Sequence, residues 1–266
     1  MRYHTHNVQL PPCPTPSIPP RAALLDHLPK DLILARYQAA AGAELASGKF
    51  ASPESSAALV ANAFGFFADR PGLLNLPCPP LTAGEARAVH LEAEMRFPWH
   101  GGRHPWLDVA VETETALIGV ESKRYEPFRK GRPGSFSDAY ARPVWGDAMA
   151  PFESMRDALQ GGRSFRLLDA CQLVKHALGL RTQARRQDRR ATLLYLYAEP
   201  AAFPDSRPIP PADHAAHRAE LAAFTAEVTG AEVAFCSLSY PELLRHWAAK
   251  PALADHVERL AARFDV

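Results

Sequence analysis

The spacing of hydrophobic and polar positions changes several times along this chain, and each change marks an element. From Pro29 to Gly48 the apolar residues Leu32, Leu34, Ala35, Tyr37 and Ala39 keep helical spacing, and Gly48 is a stop signal. Ser52-Pro53-Glu54-Ser55 reads as a second helix start, with Ser52 as cap and Pro53 at the first helical position, for a helix running to about Asp69. A Pro-rich stretch then leads to a short helix expected near Thr82–Val89. There the period drops to two. In His90–Pro98, Leu91, Ala93, Met95 and Phe97 alternate with Glu92, Glu94 and Arg96; in Trp106–Val111, Leu107, Val109 and Val111 alternate with Asp108 and Ala110. Ala116–Tyr125 is a third strand, and the Thr-Glu-Thr segment before it suits a hairpin.

After a polar, glycine-containing loop, Arg129–Ser137, the chain is irregular or briefly helical to about Leu159. Phe165–Leu178 reads as a helix closed by Gly179, followed by an exposed connection, RTQARRQDRR. Ala191–Ala198 is a strand of the fully buried type, 211–228 an Ala-rich helix, Glu232–Ser239 a last strand, and Pro241–Phe264 one or two closing helices. This order predicts an α/β fold, a mixed sheet covered by helices on both faces. Residues 1–20 carry six prolines and are expected to form an extended, partly disordered arm, which leaves 21–266 as a single domain with helical additions.

Composition narrows the function classes. The chain has 266 residues, 47% apolar, enough for a sizeable core, and a net charge of +1, so any nucleic-acid binding must come from local patches. Cys13, Cys78, Cys171 and Cys236 show no metal-binding spacing; reduced thiols are expected ahead of disulfides. The longest apolar run, Ala57 to Ala68, is about a dozen residues, too short to cross a bilayer. The N-terminus lacks an apolar core for a signal peptide, so a cytoplasmic protein with no membrane partner is expected.

The informative chemistry lies in the second and third strands. Asp108 sits inside an apolar run, LDVAV, and Glu121 and Lys123 sit two apart in IGVESK, hence on one face. Paired as a hairpin, these strands bring Asp108 and Glu121 within reach of one ion. Two carboxylates with a backbone carbonyl, that of Ser122, make a hard oxygen site suited to Mg²⁺ or Mn²⁺. A lysine beside it can stabilise charge on a phosphate. By itself, Asp and Glu-x-Lys at this separation also describes an ordinary solvated strand edge.

These residues carry a resemblance. LDVAV…GVESK, followed by a helix and a strand, looks like the PD-(D/E)XK nuclease superfamily. SSAALVANAFGFF, GVESKRYEPF, AYARPVW and LLDACQLVKHALGL resemble a bacterial family of restriction endonucleases over roughly residues 52 to 200. The resemblance implies a three-layer αβα fold with a central mixed sheet of about five strands and extra terminal helices, and metal-dependent hydrolysis of DNA phosphodiesters. It makes Asp108 and Glu121 metal ligands, Lys123 the catalytic lysine, and Gln172 a helix residue facing the site. The superfamily's proline before the aspartate is replaced by Leu107. A further glutamate expected on the first core helix finds only Glu54, at its N-terminal end; Glu92 and Glu94 are the substitutes, Glu94 preferred as lying deeper in its strand.

Arg124, Arg129, Lys130 and Arg132 follow the motif strand and are expected to hold a nucleic-acid backbone. The arginines from Arg181 to Arg190 read as a solvated loop ahead of a phosphate contact, His100 and His104 as turn residues, Asn62 and Phe64 as a capping or packing pair, and Lys175 and His176, on the Gln172 helix, as surface or packing residues ahead of an approach to the site. A catalytically weak module that binds nucleic acid or a protein stays open as the other reading, as does a homodimer. No GxxxxGK[ST] loop suggests an ATP-driven machine.

Overall fold

The computed structural model describes residues 19–78, 84–129 and 134–266. Its centre is a five-stranded mixed sheet in the order β1-β2-β3-β4-β5. The strands are β1 (Ala88–Glu94), β2 (Trp106–Glu112), β3 (Ala116–Lys123), β4 (Arg190–Tyr197) and β5 (Val233–Ser239). β1, β2 and β3 pair antiparallel, and β3, β4 and β5 parallel. One face carries α1 (Lys30–Ala39), α2 (Ser56–Gly65), α6 (Tyr240–Ala248) and α7 (Ala254–Phe264); the other carries α3 (Ala150–Gln160), α4 (Ala170–Arg186) and α5 (Pro211–Val228). Two separate hydrophobic clusters result, one on each side of the sheet, which is the three-layer α/β architecture. No described helix is long and apolar enough to cross a membrane.

The sequence accounts for most of these elements. β4 reads ATLLYLY because both of its faces are covered. The α6 start is a full capping box: Ser239 accepts from the Glu242 N–H while the Glu242 carboxylate takes the Ser239 N–H at 2.8 Å. Several boundaries move. α1 stops at Ala39, nine residues before Gly48. The α2 cap is Ser55, whose hydroxyl takes the Ala58 N–H at 2.9 Å, and the helix ends at Gly65. In the segment expected as a short helix, Ala88 and Val89 already belong to β1, and residues 79–83 lie outside the described residues, as do residues 1–18 of the Pro-rich arm. The cysteine expectation is corrected at one pair: Cys78 and Cys236 form a disulfide, Cα atoms 6.6 Å apart. The chain before Cys78 crosses the α6 face, where the Asn75 carbonyl accepts from Trp247 Nε1 at 2.8 Å, and so reaches β5. Cys171 is a buried free thiol.

The largest boundary correction concerns α4. It starts at Ala170, capped by Asp169 through the Gln172 N–H, and continues through Gly179 to Arg186. Gly179 is not a stop. A Cβ there would lie 2.7 Å from Pro105 Cγ and 2.9 Å from both the Cβ and the carbonyl oxygen of Met95, so glycine lets the helix press onto the end of β1. Alanine would gain up to about 1 kcal/mol in helix propensity, but the clash involves backbone and should win. Gly179→Ala is expected to lower stability by roughly 1–3 kcal/mol, read as a lower denaturant midpoint. An unchanged or raised midpoint would show that α4 can move away from the sheet without loss.

Candidate functional site

The site forms where the antiparallel part of the sheet comes apart. β2 and β3 pair regularly up to Val109 and Val120. The next position would set Asp108 against Glu121, but there the Asp108 Oδ2 accepts the Ser122 N–H at 2.6 Å in place of a ladder bond. On the other side of β2, the Leu91–Val109 and Ala93–Leu107 pairs bracket Glu92, which therefore lies opposite Asp108. Glu92 has φ 51°, a left-handed backbone uncommon for a non-glycine residue and more often stored at functional sites. This turn swaps the two faces of the strand: Val89 and Leu91 pack in the α2 cluster, whereas Met95 and Phe97 pack in the α4 cluster. The alternation expected through Leu91, Ala93, Met95 and Phe97 on one face is thus broken at Glu92. β2 makes the same change across Asp108, with Leu107 on the α4 side and Val109 on the α2 side.

Around this kink the charges are withdrawn from solvent, Glu121 fully and Glu92, Asp108 and Lys123 in part. Glu121 is 2% exposed. Its Oε1 takes the Lys123 ammonium, and its Oε2 lies 3.2 Å from His176 Nδ1 on α4. The Ser122 hydroxyl points to the opposite face and shares a 2.7 Å hydrogen bond with Tyr240 OH. Burial pushes the Asp108 carboxyl well above the usual range, Glu121 adds repulsion, and Lys123 and the Ser122 N–H oppose both. Glu121 is also pushed up by burial, against the pull of Lys123. Glu92 rises to about 8 through burial and the charges of Asp108, Glu44 and Glu121. His176 falls to about 3 through burial and the nearby Lys123, so it is neutral. Burial alone would lower Lys123, but Glu121 and Asp108 more than offset it and keep the ammonium protonated.

Two carboxyl groups, Asp108 and Glu121, thus share one ammonium, that of Lys123, while Glu92 lies on the far side of Asp108. The donor chemistry fits a hard divalent cation: Asp108 and Glu121 would supply carboxylate oxygens and the Ser122 main chain a carbonyl. The fit rests on that small set, because among the described residues no group of three or more His, Cys, Asp or Glu has metal-holding geometry.

A cleft of about 560 Å³ opens beside Lys123, lined also by Glu126, Arg129, Arg166, Asp169, Gln172 and Tyr195. Asp108 and Glu121 are not on its wall. The structure therefore brings Asp108, Glu121 and Lys123 together and places Gln172 on the same cleft as Lys123. Two expectations are corrected. Glu94 lies two residues past the kink, opposite Trp106, and its carboxylate holds Arg96 Nε at 2.8 Å; the carboxylate opposite Asp108 is Glu92. Arg124 is not a surface cation. It is 7% exposed and donates to the Pro53 carbonyl at 2.7 Å and the Phe264 carbonyl at 2.6 Å, tying α7 and the α2 entry to the end of β3. Arg124→Ala should cost about 2 kcal/mol by orphaning these carbonyls and leave the salt dependence of DNA binding unchanged. A stable variant with weakened binding would restore the surface role.

Arg129 does line the cleft, with its guanidinium on Glu54. Lys130 and Arg132 lie outside the described residues. The arginines expected in a solvated loop have structural partners: Arg181 and Arg185 hold Glu232, Arg189 holds Glu112, and Arg186 donates to the carbonyls of Arg96 and Phe97. His104 is a turn residue, accepting the Phe97 N–H at 3.2 Å. Of the two residues on the Gln172 helix that the sequence leaves open to a site role, His176 stands beside Glu121, four residues after Gln172 and on the same helix face; Tyr240 is the site neighbour with no signal in the sequence, because it is distant along the chain.

No curated protein and no solved structure shows a significant match to the chain. A family model described as restriction endonuclease associating with ARP matches residues 27–264. That span takes in both helical layers, all five strands and the kink, and the chain belongs to this restriction-endonuclease family, REase-ARP.

Proposed function

We propose that this protein hydrolyses DNA phosphodiester bonds with a bound Mg²⁺ or Mn²⁺, as an endonuclease of the restriction type. The observation that carries this reading is the splayed β2–β3 fork, which sets the half-buried Asp108 and the buried Glu121 beside each other with Lys123 as their cation. When bound, the metal would polarise a phosphoryl oxygen and lower the pKa of a water. The chain's own groups do the rest. The Ser122 N–H fixes Asp108, Lys123 holds one oxygen of Glu121, and the neutral His176 imidazole packs beside the other. Lys123 stays charged and reaches the cleft wall, where its ammonium can stabilise charge developing on a phosphate. Glu92, opposite Asp108 on β1, adds negative charge beside Asp108.

Residues 21–266 form one nuclease-like domain in this reading, and DNA is its main partner. The family description also names association with ARP, and such a partner belongs to the proposal. One observation favours a second reading, a module that holds nucleic acid without cutting it: the two carboxylates lie behind Lys123 and not on the cleft wall. Calorimetry with Mg²⁺ and Mn²⁺ on the wild type and Asp108→Ala, with plasmid nicking on the same samples, separates the two. Metal binding and nicking should disappear together in the variant. Equal nicking by both proteins would sink the assignment, and no metal binding by the wild type would favour the module.

A further inference from the structure

Lys123 shows only 16% of its side chain to solvent, and the cleft is the opening beside it. A phosphate that meets this ammonium must enter a space of about 560 Å³ between the start of α4 and the chain before it. That is the size of a small-ligand pocket, about 300–1,000 Å³; the open cleft has room inside for one or two nucleotides, and a stacked, paired duplex could lie only across its mouth, away from the recessed Lys123. We infer that the strand attacked at Lys123 enters unpaired: the cleft is a binding site for single-stranded nucleic acid. This substrate class rests on the nuclease reading of Lys123.

The cleft walls suit that ligand. Arg129 lies on one side and Arg163 and Arg166 on the other. None of the three swings free. Arg129 is held by Glu54, Arg163 by Glu227, and Arg166 by Asp213 at 2.8 Å. A guanidinium carries five N–H donors in a rigid fork, so one edge can stay on the carboxylate while another meets a phosphate. The side chain of Arg166 is still 60% exposed. Holding the arginines in place beforehand reduces the entropy lost on binding.

The wall itself is anchored. The consecutive N–H groups of Arg166, Leu167 and Leu168 all donate to the Glu220 carboxylate, at 2.7, 2.8 and 3.0 Å. Asp213, Glu220 and Glu227 stand seven apart on α5, so one stripe of that helix fixes the whole segment. Between the two arginines, Phe165 lines the cleft with the Arg163 guanidinium 5.0 Å from its ring centre. Fixed cations beside an aromatic group, in a groove too small for a duplex, are the combination that single-strand binders use.

The test uses the full chain without metal, with fluorescent oligothymidine, oligouridine and a hairpin duplex as probes, followed by anisotropy at several salt concentrations. Unpaired probes should bind at least about tenfold more tightly than the hairpin. Arg166→Ala keeps the backbone N–H on Glu220; it should weaken unpaired binding several-fold and reduce the salt slope by about one, without lowering the thermal midpoint. The two unpaired probes tell DNA from RNA, and tighter binding of either supports the inference. Equal or tighter hairpin binding overturns it, as does an Arg166→Ala variant that binds like the wild type. Adding Mg²⁺ to the same samples separates the two claims. Preferred cleavage of the hairpin, lost in Asp108→Ala, rejects the single-strand site and keeps the nuclease. Tight single-strand binding with no cleavage of any probe rejects the nuclease and keeps the site.

Discussion

Asp108→Asn should make the metal-free protein more stable and abolish its cleavage. The two effects share one cause. In the folded chain the Asp108 carboxylate has lost much of its hydration and faces Glu121, and both push its pKa well up. An asparagine keeps the shape and still offers a side-chain oxygen to the Ser122 N–H, now bonded at 2.6 Å. Lys123 keeps Glu121 as its partner. Removing an ill-compensated buried charge of this kind stabilises by about 1–2 kcal/mol, which is several degrees in Tm for a chain of this size. The pH dependence has a definite sign. A carboxyl whose folded pKa lies above its unfolded value binds more protons when folded, so the wild type loses stability as pH rises from about 4 towards the folded pKa. The asparagine variant lacks that loss, so the two proteins should match near pH 4 and diverge towards neutrality. Added Mg²⁺ should reverse the ranking, because a ligand that binds only the folded wild type stabilises only that protein. Cleavage should fall on the order of 10³-fold, since the metal contributes several kcal/mol to the transition state. Melting curves in chelator and in Mg²⁺, over a pH series, read all of this. A variant less stable than the wild type in chelator would mean that Asp108 is a well-paired structural acid.

Much of this site was legible because it depends on period and neighbours in the chain. Apolar alternation located β2, the short turn after it placed β3 as its hairpin partner, and spacing alone put Glu121 and Lys123 on one face. α5 needed no correction, because its ends are set by local chemistry: Pro211 opens it, and Thr229 is back in extended backbone. What could not be read has a common physical reason. The left-handed turn at Glu92 breaks a period that the residues themselves display, so the sequence pattern favours Glu94. Arg124 belongs to a basic cluster in sequence, and only the fold brings the Pro53 and Phe264 carbonyls to it from remote positions. Gly179 looks like a helix stop, and only contact with Met95 and Pro105 shows it to be a packing glycine.

Asn62 illustrates the same dependence and carries the other large expected effect. It sits within α2, fully buried, in a helix otherwise almost wholly apolar. Its Oδ1 accepts the Leu25 N–H at 2.8 Å, and its Nδ2 donates to the carbonyls of Ala23 at 3.0 Å and Ala58 at 2.7 Å. One amide therefore satisfies both a donor and an acceptor of the irregular chain that leads to α1. Asn62→Leu would keep the branched outline, crowd the buried site and leave both groups unpaired beside the core, at a cost of roughly 4 kcal/mol. Asn62→Asp separates polarity from hydrogen-bond direction. The ionised side chain would still accept from Leu25 but would face two carbonyl oxygens, whereas the protonated form has one O–H to donate. Its folded pKa must therefore lie above the unfolded value, near 3.9. Stability is then retained below about pH 4 and lost as pH rises towards the folded pKa. Denaturant unfolding of the two variants at pH 4 and pH 7 should show a large deficit at both values for Asn62→Leu, and one that grows with pH for Asn62→Asp. A pH-independent deficit in Asn62→Asp would mean that water or a shifted backbone supplies the missing donors, and that the amide does not hold this chain segment in place.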